Sequence, residues 1–404
     1  MKITFILQET GSGAVGGIRV VYEYANRLAE KGHQVNIVYP LTPFVPRPKL
    51  RHSSLKDQAR WLKGQARWLL LNLRKRKKVG WFNVKARLVM IPTNSPTFSS
   101  LTQRFIPDAD VVLATAWETA YLVNKLSNRK GKKFYFIQHY EIWPVWNDET
   151  SWRKAEAIEP DPNKLCLAMH DVTPDNEKLR TFKAMVDATY KLPINKIVIS
   201  SWLKELMEKK FSETAQGPIV NGVNFDTFYL EKTERNGRRV LMPWRPAKWK
   251  GTQDGLKAFT LARARFPEAE FAMHGVPANN DLPEWITKHR RVSDDELRHL
   301  YNQSDIYVIP SWVEGSQLPP MEAMACGCSV AATNVGGITD YAVAGKTVLV
   351  SPPRKPEALA TNIIKLLEDK ERLRQMAKAG NEYIAQFTWE RATNRLEEIL
   401  KASL

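Results

Sequence analysis

The sequence has few cysteines and no long apolar run. Three cysteines among 404 residues cannot build a disulfide framework, and Cys326 and Cys328 lie in an apolar helix-to-strand connection where small buried thiols are common. A reducing cytoplasm is therefore expected. After Lys2, residues 3–7 are apolar or nearly so, which is too short for a signal-peptide core. No run approaches the roughly 18 apolar residues of a membrane span, so we expect a soluble or peripheral protein.

Acidic residues are scarce in one segment. Between Arg47 and Arg87 there are 14 Lys and Arg against one acid, Asp57, so this segment carries 13 of the net charge of +17. One apolar stripe recurs there at steps of four and three, formed by Leu55, Ala59, Leu62, Ala66, Leu69 and Leu73. A basic amphipathic helix flanked by Trp61 and Trp68 is typical of a membrane-surface element that binds anionic lipid. The alternatives are a helix packed on the core and nucleic-acid binding, for which no module is recognised.

Strand-like and helical runs alternate along the rest of the chain. The chain is too long for one ordinary core, and the βαβ rhythm predicts two parallel, doubly wound sheets. The predicted strands are 2–7, 34–39, 110–114, 133–137, 196–200, 239–242, 269–273, 305–309 and 329–333, and the predicted helices include 18–31, 252–265, 356–367, 370–386 and 390–400. The fold class is therefore α/β, with two Rossmann-like domains facing across a cleft that is the natural ligand site.

A motif with two glutamates follows the predicted strand 305–309. Glu314 and Glu322, separated by seven residues, lie in the connection to a helix predicted to start at Pro320. Free N–H groups at a helix start attract phosphate, and Gly315 lets the chain approach a ligand closely. Two carboxylates beside such a loop can accept hydrogen bonds from the hydroxyls of a ribose or a hexose. The alternative is that Glu314 is solvated and Glu322 merely supports the helix start by its charge.

This segment resembles the Glu-x7-Glu motif of retaining glycosyltransferases with the GT-B fold, in their large family 4. The resemblance is clearest over residues 202–389, present at the N-terminal glycine loop, and weak over 46–104. It implies that Glu314 contacts the donor hexose and that Glu322 contacts the donor ribose. The same resemblance extends the donor site to Gly315, Ser316, Gln317 and Leu318.

A glycine pattern follows the first strand. Residues 11–16 satisfy G-x-G-x-x-G, which raises the possibility of dinucleotide binding. Two observations count against it: the glycines begin several residues after the strand, and Tyr39-Pro40 stands where an acidic residue would be required. Gly16 and Gly17 instead match the glycine loop of the resembled family, which lies near the donor diphosphate and the acceptor.

Two cations follow the strand 239–242. Arg245 and Lys250 stand five residues apart around a turn, and fixed cations can neutralise the charge that develops on a departing nucleoside diphosphate. The resemblance assigns them to that diphosphate; otherwise they would be solvated surface cations.

His139 follows a strand and matches the family's histidine near the anomeric carbon. Tyr140 and Glu141 stand where Asp commonly follows, and Asp340 stands where relatives often carry Glu. The pair Asp108 and Asp110 resembles a metal motif, but Asp110 opens an apolar strand, so we assign no metal ligand.

Together with these features, the resemblance implies a retaining hexosyltransferase. The donor would be a UDP- or GDP-linked sugar, the acceptor a glycan or a lipid-linked acceptor of cell-surface polysaccharide or glycolipid synthesis, and no cofactor is expected. Residues 1–218 would form the acceptor-side domain, 219–386 the nucleotide-sugar domain, and 387–404 a helix that crosses back. The protein would be cytoplasmic, docked on the inner face of the membrane through 47–87 and bound to no nucleic acid. The alternatives are an epimerase or phosphorylase of the same fold, or a non-catalytic scaffold that binds glycan or nucleotide.

Overall fold

A computed structural model describes residues 1–9, 16–40, 79–91 and 103–404, together with Ala59 and Lys63. Most of the basic segment 47–87 and residues 11–15 of the glycine pattern lie outside the described residues. The amphipathic helix expected in that segment therefore stays a prediction.

Within the described ranges, seven parallel strands form the first sheet, in the order β3-β2-β1-β4-β5-β6-β7. They are β1 Lys2–Ile6, β2 Gln34–Pro40, β3 Arg87–Ile91, β4 Val111–Ala114, β5 Lys132–Ile137, β6 Asn195–Val198 and β7 Ala215–Gln216. The helices of this half are Gly16–Glu30, Trp117–Asn124, Trp143–Trp146, Glu149–Ile158, Leu165–Ala168, Glu177–Tyr190 and Ser201–Glu205, the last followed by the π-helical turn Leu206–Lys210. Short 3-10 turns span Asn128–Lys130 and Pro162–Lys164.

The second sheet has six parallel strands in the order β10-β9-β8-β11-β12-β13. They are β8 Arg239–Pro243, β9 Glu270–His274, β10 Ile286–His289, β11 Ile306–Ile309, β12 Ser329–Thr333 and β13 Val348–Ser351. Its helices are Thr252–Arg265, Asp294–Gln303, Leu318–Ala325, Ile338–Tyr341, Pro356–Glu368 and Lys370–Ile384, with a 3-10 turn at Lys248–Lys250.

The central strands are apolar runs rather than alternating ones, because helices cover both faces of each sheet. All four residues of β4 and all four of β11 are buried. In the second half the sheet separates two apolar cores, one containing Phe259 and Ile363 and the other containing Met321. These observations confirm the predicted α/β class with two Rossmann-like domains.

The C-terminal helix Trp389–Ala402 packs against the helix Gly16–Glu30 of the first half. The rings of Tyr24 and Trp389 meet edge to face with centroids 5.3 Å apart. His33 Nε2 lies 2.9 Å from an oxygen of Glu397. The chain therefore crosses between the halves twice, once before β8 and once before this helix.

The helix after β11 begins at Leu318, two residues before the predicted start at Pro320. Gln317 is its N-cap, and the following prolines are tolerated because the first turn of a helix needs no N–H donors. Over the described residues, no helix combines the length and apolar character needed to cross a membrane.

Candidate functional site

The candidate site lies where the strand order of each sheet reverses. In the second sheet this point falls between β8 and β11, whose carboxyl ends lead to Lys250 and Glu314 respectively. In the first sheet it falls between β1 and β4, and β5, which ends just before His139, lies next to β4. Parallel α/β sheets bind ligands at the carboxyl ends of strands beside such a reversal. The topology thus gathers the residues that the sequence pattern singles out.

Gly315 brings the two halves into contact. A Cβ built on Gly315 would lie 1.8 Å from the carbonyl oxygen of Gln138, which belongs to the first half. The carbonyl of Gly315 accepts a hydrogen bond of 3.0 Å from Trp202 Nε1 of the same half. Only glycine permits this approach, so the loop that carries Glu314 lies directly against the loop that carries His139.

Lys250 and Glu314 form a charge pair. Lys250 Nζ lies 2.8 Å from each carboxylate oxygen of Glu314, and Ser311 Oγ donates to one of them at 2.8 Å. Gly251 makes the turn possible: its φ is 66°, and a Cβ there would lie 1.9 Å from the carbonyl oxygen of Pro310. The side chains are 26% and 14% exposed, so a cation and a carboxylate are held side by side at the mouth of the cleft.

His139 is buried and presents one free ring nitrogen. Its Nδ1 lies 2.9 Å from the carbonyl oxygen of Tyr140 and therefore carries the proton, while Nε2 has no hydrogen-bond partner within the described part of the chain. Burial, together with the nearby charge of Lys250, lowers the pKa of His139 to about 4. The imidazole is therefore neutral near pH 7, with Nε2 available as an acceptor.

Aromatic side chains surround His139. Its ring centroid lies 4.5 Å from that of Trp143 and 6.1 Å from that of Trp202. Trp143 in turn stacks on Trp249 of the second half at 5.6 Å. These aromatic residues were missed by the sequence analysis, since nothing in their local pattern separates a cleft tryptophan from a core one.

Glu322 lies deeper in the cleft, in the helix Leu318–Ala325, and is 7% exposed. Burial raises its pKa to about 7, the charges of Arg19 and Arg245 oppose the rise, and those of Asp294 and Glu23 add to it. Within the described residues, no group donates a hydrogen bond to its carboxylate.

The charge of Arg245 acts on Glu322, whereas Lys250 pairs with Glu314. The side-chain hydroxyl of Thr252 donates to the carbonyl of Arg245 at 2.8 Å and accepts from its N–H at 3.1 Å, which fixes the backbone of the turn. The guanidinium lies beside Gly275, where a built Cβ would come within 3.0 Å of it. The two predicted cations therefore line different parts of one cleft.

The remaining predicted donor residues surround the same space. Gly16 and Gly17 open the helix Gly16–Glu30, and a Cβ on Gly17 would lie 3.6 Å from Gln138 Oε1. Gln317 accepts a hydrogen bond from the Tyr341 hydroxyl at 3.1 Å. Four buried polar atoms of these loops have no partner within the described residues: Gln138 Oε1, His139 Nε2, Ser316 Oγ and Gln317 Nε2. Buried polar atoms are normally paired, so this set is available to a polar ligand.

Two polar contacts across the cleft were not predicted. Arg19, two residues after Gly17, pairs with Asp294 of the second half. Asp340 accepts a hydrogen bond of 2.8 Å from the N–H of Ser201 in the first half. The proximity of Arg19 to the glycine loop was the one local signal that could have found it.

Asp108 and Asp110 have structural roles. Asp108 pairs with Lys130 at 2.7 Å and with Arg129 at 3.3 Å, and Asp110 accepts a hydrogen bond of 2.6 Å from the N–H of Lys2. Over the described residues, no group of three or more His, Cys, Asp or Glu side chains is arranged to hold a metal ion.

Residues 230–383 match the protein family described as "Glycosyl transferases group 1". The region includes all the proposed donor residues of the second half. This part of the chain is therefore similar to the glycosyl transferases of group 1.

Three relatives are similar to parts of this chain. The Escherichia coli O-antigen chain mannosyltransferase B is 36% identical over 112 residues, 28% of this chain and 29% of that protein. The Salmonella typhimurium lipopolysaccharide 1,2-N-acetylglucosaminetransferase is 25% identical over 60% of this chain and 68% of that protein. A D-inositol 3-phosphate glycosyltransferase of Thermobispora bispora is 31% identical over 62% of each. The chain thus spans less than a third of the first relative and about two thirds of the others.

Solved structures share the whole fold. Sucrose-phosphate synthase from Thermosynechococcus elongatus superposes with a TM-score of 0.68 at 17% identity, covering 99% of this chain and 98% of that one. The Anabaena protein HepE in complex with UDP gives 0.66 at 14% identity over the full length of both chains. The chain therefore has the GT-B fold, as predicted.

Proposed function

We propose that this protein is a retaining glycosyltransferase of family 4 that transfers a hexose from a nucleoside-diphosphate sugar. The observation that carries the proposal is the placement of Lys250 Nζ 2.8 Å from both oxygens of Glu314, in a loop that touches the His139 loop through Gly315. A cation, a carboxylate and a neutral imidazole thus converge where two Rossmann-like halves meet. That set suits a sugar diphosphate, which needs both charge neutralisation and hydroxyl recognition.

Each residue has a distinct task in the proposed reaction. Lys250 and Arg245 would neutralise the diphosphate as it leaves, which is the largest electrostatic demand of glycosyl transfer. Glu314 would accept hydrogen bonds from the hexose, and His139 Nε2 would accept another because burial keeps the ring neutral. Glu322 would accept hydrogen bonds from the ribose.

A front-face mechanism accounts for retention of configuration. The acceptor oxygen forms a bond to the anomeric carbon on the face from which the diphosphate departs. The bond between that carbon and the phosphate oxygen breaks, and the acceptor proton passes to the departing diphosphate. The protein then contributes positioning and charge rather than a strong base.

The donor and acceptor classes are supported by the names of similar proteins. HepE has been solved with UDP and with UDP-glucose, and two relatives are named for transfer to O-antigen or lipopolysaccharide. We therefore propose a UDP- or GDP-linked hexose as donor and a glycan or lipid-linked acceptor of cell-surface polysaccharide or glycolipid synthesis.

Donor binding is tested by thermal shift and calorimetry with UDP, GDP, ADP and dTDP sugars. A bound donor raises the melting temperature according to its affinity. If the protein binds none of the nucleoside diphosphates, the proposal is overturned. With the donor identified, nuclear magnetic resonance of the product reports its anomeric configuration, and inversion would exclude the retaining mechanism.

Lys250→Met, compared with Lys248→Met, tests the central pair. Lys248 lies in the same turn and is exposed, so it serves as the matched control. We expect the Lys250 variant to lose about 10²-fold in kcat, a magnitude usual for removal of one electrostatic stabiliser, while the control keeps its rate. Equal rates for both variants would remove Lys250 from the mechanism.

We propose that the reaction uses no cofactor besides the donor. Transfer activity that persists after dialysis against EDTA supports this. Transfer activity that is lost on dialysis and restored by added Mg²⁺ or Mn²⁺ contradicts it.

We further propose that the basic segment 47–87 docks the protein on the cytoplasmic leaflet. Each Lys or Arg of the segment that reaches anionic lipid would contribute about 1 kcal/mol, although Lys85 is already paired with Glu30. Sedimentation with anionic but not neutral vesicles at low salt is expected. Failure to sediment, or equal sedimentation with both, would contradict docking.

A further inference from the structure

Tyr190 holds the loop that carries His139. Its hydroxyl donates to the carbonyl of His139 at 3.0 Å and accepts from the N–H of Glu141 at 3.2 Å. These two hydrogen bonds fix the backbone on both sides of Tyr140. Tyr190 is fully buried as the last residue of its helix, and its ring stacks on that of Tyr135 with centroids 5.6 Å apart. One hydroxyl in a fixed place thus constrains three consecutive residues.

The carbonyl of Tyr140, which lies between these two bonds, sets the ring of His139. Its oxygen lies 2.9 Å from His139 Nδ1 and accepts a second hydrogen bond of 2.8 Å from Trp146 Nε1. A carbonyl oxygen can only accept, so Nδ1 carries the proton and Nε2 keeps its lone pair. The position of this one carbonyl therefore decides both the tautomer of the imidazole and the direction of Nε2.

The neighbouring side chains of the loop are also bound. The Tyr140 hydroxyl donates to Asp187, on the same helix as the clamping tyrosine, at 2.6 Å. The Glu141 carboxylate accepts from the N–H of Trp117 at 2.6 Å. By contrast, His139 Nε2 has no hydrogen-bond partner in the described part of the chain. A loop held in this way keeps a free nitrogen in one place, which is how a protein prepares a contact to a substrate.

The same loop touches the second half of the molecule. A Cβ built on Gly315 would lie 3.5 Å from His139 Cδ2, so the imidazole borders the residue that follows Glu314. A shift of the loop would therefore move Nε2 relative to the proposed hexose site.

We propose that Tyr190 is a positioning residue, which fixes the carbonyl of Tyr140 and through it the tautomer and direction of His139. This inference rests on the proposed function, since it takes the ligand of His139 Nε2 to be a hydroxyl of the transferred hexose.

Tyr190→Phe removes the hydroxyl and keeps the ring. With the identified donor, this variant should lose about tenfold in kcat/KM, because a loosened loop misplaces the group that contacts the hexose. Its melting temperature verifies that it folds. Tyr121→Phe is the matched control, because the Tyr121 hydroxyl also donates to a backbone carbonyl of the same helix, that of Met185 at 2.7 Å, but lies outside the loop. The control should keep the wild-type rate.

A double-mutant cycle with His139→Ala separates positioning from a general structural effect. If Tyr190 acts through the imidazole, the double variant should transfer no more slowly than His139→Ala alone. If Tyr190 only supports the fold, the two losses multiply, and the inference is overturned. A wild-type rate in either single variant overturns it as well.

Nitrogen magnetic resonance of protein labelled at its 7 histidines tests the tautomer without any donor. The signals of His139 are those that His139→Ala lacks. At neutral pH the wild type and Tyr121→Phe should show the form protonated at Nδ1, whereas Tyr190→Phe should show a mixture of both tautomers. An unchanged tautomer in Tyr190→Phe overturns the inference.

Tyr140→Phe provides a second variant should Tyr190→Phe not fold. It loses only the hydroxyl that bonds to Asp187, so it should show the same changes at smaller size, and their absence overturns the inference. Additive losses in the cycle remove the inference while the proposed function stands. Absence of transfer with every donor overturns the proposed function, whereas the resonance measurement still decides how the imidazole is held.

Discussion

At the scale of single residues, the site depends on a glycine, Gly315, at a point where no side chain fits. A Cβ on Gly315 would lie 1.8 Å from the Gln138 carbonyl oxygen, and real contacts of this kind are not shorter than 3.0 Å. An alanine there would push the halves apart by about 1 Å at the point where the two loops meet. The chemistry of the cleft therefore relies on a backbone contact as much as on charged groups.

Gly315→Ala should reduce transfer by about 10²-fold, since a displacement of about 1 Å is enough to misplace reacting groups. Steady-state rates with the identified donor provide the measurement. Gly80→Ala is the control, because nothing lies within 4 Å of a Cβ built there, and it should keep full activity. If the Gly315 variant kept the wild-type rate, separation of the two halves at this contact would not affect transfer.

Some of the site was predictable residue by residue, and some was not. Glu314 and Lys250 each follow a strand of the second sheet and were both assigned to the donor site, but their direct pairing was not predicted. Arg19 and Trp202 were missed because their partners, Asp294 and Gly315, lie 275 and 113 positions away. Contacts between halves depend on how two sheets meet, and no local pattern encodes that.

At the scale of elements, prediction succeeded where periodicity was strong. The helix Thr252–Arg265 and the strand Ser329–Thr333 have the predicted bounds. The four strands at the edges of the two sheets were not predicted: Arg87–Ile91, Ala215–Gln216, Ile286–His289 and Val348–Ser351. Short edge strands gain their structure from a neighbour rather than from their own sequence.

The C-terminal helix carries a carboxylate, Glu397, through which we expect the stability of the protein to depend on pH. Lys31, Lys401 and His33 surround the Glu397 carboxylate and lower its pKa to about 2. Because the pKa of Glu397 is lower in the folded protein than in the unfolded chain, its ionised carboxylate stabilises the folded state at pH values above the unfolded pKa. This contribution is lost as pH falls towards about 2. Glu397→Gln should therefore reduce the free energy of unfolding by about 1–2 kcal/mol at pH 7 and by less at about pH 3.

Urea unfolding of wild type and variant at the two pH values measures this difference. Glu398→Gln is the control, because Glu398 is 65% exposed and pairs only with Arg395, at 3.0 Å, in the described residues. It should change stability little at either pH. If the Glu397 variant lost the same free energy of unfolding at pH 7 and at pH 3, the charge-based explanation would be contradicted.

At the scale of the whole molecule, Arg354 joins the two halves through Glu149 and Glu156. Its guanidinium carbon lies 4.4 Å from the ring centre of Trp312 and 5.4 Å from that of Trp152, and its Nε donates to Glu156 at 2.9 Å. An arginine between two aromatic rings with two acidic partners is well suited to hold a domain interface.

Arg354→Gln should shift the free protein towards a more open arrangement. The radius of gyration by small-angle X-ray scattering should rise without donor and return to the wild-type value with it, and KM should rise while kcat stays constant. Arg265→Gln is the control, because its 3.6 Å pair to Glu368 lies within the second half. A scattering profile identical to that of the wild type would assign the interface to other contacts.

The stacked indoles of Trp143 and Trp249 have a practical consequence. They come from opposite halves and lie 5.6 Å apart at an interplanar angle of 26°. Two indoles so close couple their intense transitions, which produces a paired band of opposite signs in the far-ultraviolet circular dichroism spectrum. That band vanishes when the rings separate, so the protein carries an intrinsic optical gauge of its own opening that needs no attached dye.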